Sequence, residues 1–227
     1  VYNTSMITLT DYEITVLILS SKVAIISSLI ISIPAFFLGL ALATKQFYGK
    51  SIIDSVIHLP LVLPPVVIGF LLLIIFGKNG LLGASFYSLF GWSISFTWVA
   101  AIIASSVMSF PLFVRSIRQS IAEIDPKLIE AAKTLGANNL KILKTIIIPL
   151  SKNGIISGLV LSFSRSLGEF GATITFAGNI FGETQTIPLA IYSSLQDPNA
   201  SHVVIRLVII SISISFVALF ISNRFAK

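Results

Sequence analysis

Cysteine is absent from the 227 residues, which excludes disulfides, thiol catalysis and thiolate metal sites. Charge is scarce as well: Asp, Glu, Lys and Arg together make up 11% of the chain, against about 25% in soluble domains. A soluble globular fold does not fit that shortage. Histidine occurs only at His58 and His202, too far apart in sequence to argue for a histidine metal centre. No lysine or arginine precedes the first apolar run, where Asp11 and Glu13 stand instead. A cleavable signal peptide needs a basic leader and a short apolar core, so the first run is expected to be a retained span. A phosphate-binding loop is missing too. Gly49-Lys50-Ser51 copies the tail of G-x-x-x-x-G-K-[ST], but Thr44 stands where the first glycine belongs and no buried strand precedes it.

What is present is oil. Apolar residues form 55% of the chain, with 17 phenylalanines, and the mean hydropathy is +0.98. Runs close to the ~20 residues that cross a bilayer predict an all-α, polytopic helical bundle in one transmembrane domain, residues 1–227. Its spans are expected near 14–43, 53–76, 94–117, 149–175 and 203–222. In the first, Ala35, Gly39 and Ala43 make a small-residue stripe for helix packing, Pro34 a kink, and Lys22 a side chain that snorkels to the interface. The second contains Pro60, Pro64 and Pro65, which remove several backbone donors within two turns. Such a break survives only where protein or a water-lined cavity satisfies the freed carbonyls. It marks either a transport path or a packing kink. Trp92 and Trp98 stand at the start of the third span as interfacial aromatics, and Pro111 is expected to bend it. In the fourth, Gly154, Gly158, Ser162 and Ser166 recur every fourth residue, a second packing stripe. Arg165 and Glu169 lie one turn apart there and are expected to face protein or water, paired with each other or with another partner. Thr186 before Ile187-Pro188 reads as the start of a short re-entrant or interfacial helix.

The formal charge of +6 is read as loop charge that orients the spans, because no basic patch is interleaved with aromatics as nucleic-acid binding requires. Lys45, Lys50, the polar stretch 121–148, Arg224 and Lys227 fall on one side of a five-span chain. Lys78, Asp11, Glu13, Glu183 and Asp197 fall on the other, with Arg206 just inside the last span. The positive-inside rule then puts the N-terminus outside and the polar stretch and C-terminus in the cytoplasm.

That polar stretch has its own signals. Asp125-Pro126 is an N-cap followed by proline in the first helical position, and Gly136 is a left-handed stop. Leu128, Ile129, Ala132 and Leu135 are expected on one helix face. A second short helix is expected from Asn139 to Ile146, with Leu140, Leu143 and Ile147 toward the membrane. The result is a two-helix knob exposed to the cytoplasm.

The same residues carry a resemblance. Glu130-Ala131-Ala132, Gly136, Ile146 and Ile148-Pro149 resemble the E-A-A-x3-G-x9-I-x-L-P signature of binding-protein-dependent ABC transporter permeases, with isoleucine for leucine at 148. The resemblance implies coupling helices that seat in a cleft of an ATP-binding subunit. HLPLVLPPVV (58–67), MSFPLFVRSIR (108–118), SFSRSLGEFGATITF (162–176) and GETQTIP (182–188) further resemble the molybdate permeases of ABC importers, with sulfate and thiosulfate permeases as near relatives. Implied with it are a homodimer in the inner membrane, two ATPase subunits that carry ATP and magnesium, and a periplasmic or lipid-anchored molybdate-binding protein. No cofactor is implied on this chain, and molybdate is not separated from tungstate. Pathway candidates are Pro64, Pro65, Arg165, Ser166, Glu169, Gly171, Thr173 and Thr175; the stretch from Gly168 to Thr175 lies near the gate by resemblance. The hydroxyls of Ser166, Thr173 and Thr175 and the backbone N–H groups near Gly171 are expected donors to a passing oxyanion. Two other readings compete. A secondary anion transporter or channel wants an internal repeat, and none stands out. A membrane enzyme wants a nucleophile–base pair or a metal cluster.

Overall fold

A computed structural model describes residues 9–225, and these form helices and connections with no strand among them. The long helices are α1 (Asp11–Thr44), α5 (Trp98–Ala122), α9 (Lys152–Leu167) and α12 (Ser201–Phe225). Shorter ones are α2 (Lys50–Val62), α3 (Pro65–Phe76), α4 (Gly83–Phe90), α6 (Pro126–Thr134), α7 (Asn139–Ile142), α8 (Ile148–Leu150), α10 (Gly171–Phe176) and α11 (Ile187–Ser194). Among the described residues three helices are long and apolar enough to cross a membrane, or up to five spans if each of two bent pairs counts as one. Lys227, expected at the cytoplasmic end, lies outside the described residues.

The centre of the bundle is α1, α5 and α9 packed on one another. Lipid is as apolar as leucine, so close backbone approach rather than water exclusion must hold such helices together. Both small-residue stripes serve that end. Ala35 and Gly39 are buried, as are Gly154, Gly158, Ser162 and Ser166. An added Cβ at Gly154 would fall 2.3 Å from Ser120 Cβ, and one at Gly158 would meet the Phe113 ring at 3.0 Å. Phe113, Val114 and Ile117 of α5 are fully buried in this seam. A line of hydroxyls crosses it: Ser27 donates to Ser166 at 3.0 Å, Ser166 to Ser109 at 3.4 Å, and Ser109 to the Ser105 carbonyl at 2.7 Å. Pro34 and Pro111 lie inside continuous helices.

α1 starts in a capping box, Thr10 accepting from the Glu13 N–H while the Glu13 carboxylate accepts from the Thr10 N–H at 2.8 Å. The other Glu13 oxygen receives Arg206 Nε of α12 at 2.7 Å, with the Glu13 side chain wholly buried. α11 begins after Thr186 with Pro188 in its first turn, as expected. The Thr186 hydroxyl makes no capping bond; Ser20 of α1 accepts the Ile187 N–H instead, at 2.8 Å. Lys22 is exposed and stands 3.6 Å over the Trp98 ring, a cation–π contact at the start of α5.

Three expected spans are redrawn. The second is two helices, α2 and α3, meeting at 114° around Leu63-Pro64. Pro65 supplies the first turn of α3 without a donor to lose. The third starts at Trp98 rather than 94, because Thr97 is extended and turns its hydroxyl back to the Ile94 carbonyl at 2.7 Å. The fourth does not run unbroken over 149–175. Pro149 cannot donate to a preceding carbonyl and crowds it, and a π-helical turn over Leu143–Ile147 precedes it and joins α7 to α8. The chain then bends by 64° into α9, which stops at Leu167 before Gly168. α10 is a separate helix. The loop between α3 and α5 also holds an unexpected helix, α4.

Candidate coupling surface and transport path

The polar stretch folds as the two-helix knob its signals predict. Asp125 Oδ1 accepts from the Lys127 N–H at 2.9 Å, and Pro126 takes the first helical position of α6. Gly136 turns the chain at φ +80°, where nothing would lie within 4 Å of an added Cβ. Glycine is therefore required here for its backbone and not for space. Asn138 Oδ1 then caps α7 through the Lys141 N–H at 2.8 Å. The second helix does not stop at Ile146 but runs on through the π turn into α8.

The apolar face of α6 is split, contrary to expectation. Ile129 and Ala132 pack toward the bundle, whereas Leu128 is 49% exposed and Leu135 87%. Leu140, expected toward the membrane, is 58% exposed. Glu130, Ala131 and Pro149 are exposed too, and Ala132 is half-buried. Three leucines thus stand open among Lys127, Glu130, Lys133 and Lys141. Helical periodicity finds the apolar positions, but it does not say which side of a short helix the bundle covers.

The broken segments meet each other. α3 packs on α10, and the approach is too close for side chains on either surface. A Cβ on Gly69 would lie 2.7 Å from the Ala172 carbonyl oxygen, and one on Gly171 would lie 2.8 Å from Pro65 Cβ. The structure therefore brings Pro65, Gly171 and Thr175 together, with Pro64 exposed at the break. Arg165 and Glu169 pair, Arg165 Nη1 with Glu169 Oε2. The second Glu169 oxygen accepts the Ala172 N–H at 2.9 Å, which fixes the start of α10. Beside this break a cavity of about 430 Å³ opens between α9, α11 and α12, with Gly168, Phe170 and Tyr192 on its wall.

Most expected donors are already engaged. Thr175 Oγ1 gives its proton to the Gly171 carbonyl at 2.8 Å, Ser166 gives its own to Ser109, and the Ala172 N–H is taken by Glu169. Thr173 differs: it is 1% exposed and its hydroxyl has no hydrogen-bond partner among the described residues.

Among the described residues, two arginine–carboxylate pairs escaped the sequence reading. One is Glu13–Arg206. The other joins Asp54 of α2 to Arg118 of α5 at 2.8 Å. Glu13 and Arg206 both sit near span ends on one side of the membrane, so their pairing was available as a charge-matching argument. Asp54 and Arg118 likewise stand at span ends on one side of the membrane, so the same argument was available for them.

The described residues thus form an all-helical bundle with broken spans, small-residue seams and an exposed two-helix knob. The family model for the inner-membrane component of binding-protein-dependent transport systems matches residues 35–227, and the chain belongs to that family. It is 53% identical over 216 residues to the molybdenum transport system permease protein ModB of Haemophilus influenzae, covering 95% of this chain and 94% of that one. The ModB protein of Escherichia coli K12 is 49% identical, with 96% of each chain covered. The sulfate transport system permease protein CysT of Salmonella typhimurium is 33% identical, over 91% of this chain and 76% of its own. Among solved structures, a bacterial ABC transporter that imports the acidic polysaccharide alginate matches 96% of this chain and 82% of its own at a TM-score of 0.72 and 18% identity. An amino acid ABC transporter matches all of this chain and 96% of its own at 0.64 and 23%. These two share the fold. The protein is a multi-pass inner-membrane transport subunit.

Proposed function

We propose that the chain is the membrane-spanning subunit of an ATP-driven importer for a tetrahedral oxyanion, with molybdate as cargo. It acts as a single transmembrane domain paired with a second copy of itself. A binding protein outside delivers the anion, and two ATP-binding subunits dock on the α6–α7 knob from the cytoplasm, where the C-terminus also lies. ATP and magnesium stay on those subunits. The observation that carries the reading is the knob: capped at Asp125, turned at Gly136, and open at Leu128, Leu135 and Leu140. Exposed leucines ringed by charge are what a protein partner covers. The identity to molybdenum permeases, well above that to a sulfate permease, supports the cargo.

Selectivity is assigned to the binding protein, since Ser166, Thr175 and the N–H of Ala172 are internally bonded and Arg165 is paired. The path itself is proposed beside the α3–α10 contact, where Pro65 meets Gly171 and Gly69 meets Thr175, with Pro64 and Thr173 close to these residues in sequence. The test is uptake into proteoliposomes holding the chain, its ATPase and its binding protein. Uptake of molybdate that requires internal ATP and is competed by tungstate more strongly than by sulfate is expected. Uptake by the chain alone, driven by an ion gradient, would make it a secondary transporter.

A further inference from the structure

α2 is loosely held. None of its residues is buried, and a cavity of about 310 Å³ separates it from α5, with Ile57, Pro60, Ser106 and Phe110 on its walls. Among the described residues, the side-chain hydrogen bond that joins α2 to another helix is Arg118 Nη1 to Asp54 Oδ2, at 2.8 Å. His58, one turn along α2, bonds through Nδ1 to the Asp54 carbonyl oxygen at 2.8 Å, and the same nitrogen lies 3.3 Å from Asp54 Oδ1. Both members of the ion pair are about a third exposed, at 32% and 38%. A pair that wet adds little to stability, so the fold does not depend on it.

Its position gives it another use. Arg118 lies in the last turns of α5, from which the chain passes directly into α6 and the knob. The far end of α2 is the proline break, and Pro65 just beyond it presses on Gly171 of α10. α2 is therefore a lever between the docking surface and the α3–α10 contact, with Asp54–Arg118 as its polar fastening. We propose that this pair is a coupling tie. When an ATPase displaces the knob and α5 follows, the tie makes α2 move with α5 and transmits the displacement to the proline break. Asp54 and Arg118 are positioning residues; neither meets the cargo. The proposal rests on the docking reading above.

The experiment reads molybdate taken up and ATP hydrolysed in the reconstituted complex. D54N and R118Q are expected to co-purify with the ATPase, and to lower uptake per ATP about five-fold. Because the bond is single rather than forked, R118K is expected to hold the ratio within about two-fold of wild type. The exchange D54R/R118D should recover most of the loss. Unchanged ratios in D54N and R118Q overturn the tie while leaving docking intact. Should those two fail to assemble, the exchange decides: recovery supports the tie and continued failure overturns it. A wild-type complex without ATP-driven uptake overturns the docking reading, and the tie with it.

Discussion

The α1/α5/α9 centre and the α6–α7 knob use the same residue types in opposite ways. In the centre, glycine at 154 makes room, with Ser120 Cβ 2.3 Å from where its own Cβ would be. In the knob, Gly136 has open space around it and is needed for a φ of +80°. Apolar side chains follow the same division. Phe113 and Ile117 are fully buried between helices, while Leu135 is 87% exposed. On the proposed docking reading, the difference separates what must be filled for the chain to stay folded in lipid from what must remain open for another protein to meet. Variants in the two regions should therefore fail differently.

The largest effect is expected from Gly154→Leu. The new side chain must displace α5, and overpacking of a filled seam costs about 3 kcal/mol or more. The yield of folded protein in detergent should collapse, and uptake with it. Arg165→Gln comes next, since it leaves the buried Glu169 carboxylate without its cation. With Arg165 28% exposed, the cost should fall near the lower end of the roughly 3–5 kcal/mol seen for broken buried pairs. A thermal melt of the purified protein reads it, and Glu169→Gln should cost less because no buried charge remains. Gly136→Val places a β-branched residue in a left-handed turn, at about 1–2 kcal/mol, far from the membrane seam. Membrane yield should match wild type while ATPase co-purification and uptake fall. Normal uptake and an intact ATPase complex in that variant would erase the distinction between the regions. Smallest is Ser166→Ala, which removes hydroxyl contacts worth roughly 0.6 kcal/mol each in a bilayer protein, and uptake should stay near wild type.

Much of this division was legible in the residues. The fourfold recurrence of Gly154, Gly158, Ser162 and Ser166 announced a packed face, and Asp125-Pro126 with Gly136 announced the knob's first helix. Both signals are local, because cap and turn chemistry act within a few residues. The breaks were less legible. Three prolines marked the α2–α3 bend but not its angle. The end of α9 at Leu167 left no proline signal, only Gly168 and a glutamate whose capping of α10 depends on where Ala172 lies. The α3–α10 contact is a product of the fold-back itself. No periodicity encodes it.

The absence of cysteine permits a direct test of the knob as a cytoplasmic docking surface. Leu135→Cys introduces a single, highly exposed thiol into a chain that has none. In membrane vesicles of known sidedness, a membrane-impermeant maleimide should label it from the cytoplasmic face alone, and bound ATPase should block the reaction. Labelling from the outer face, or undiminished labelling with the ATPase bound, would contradict the account.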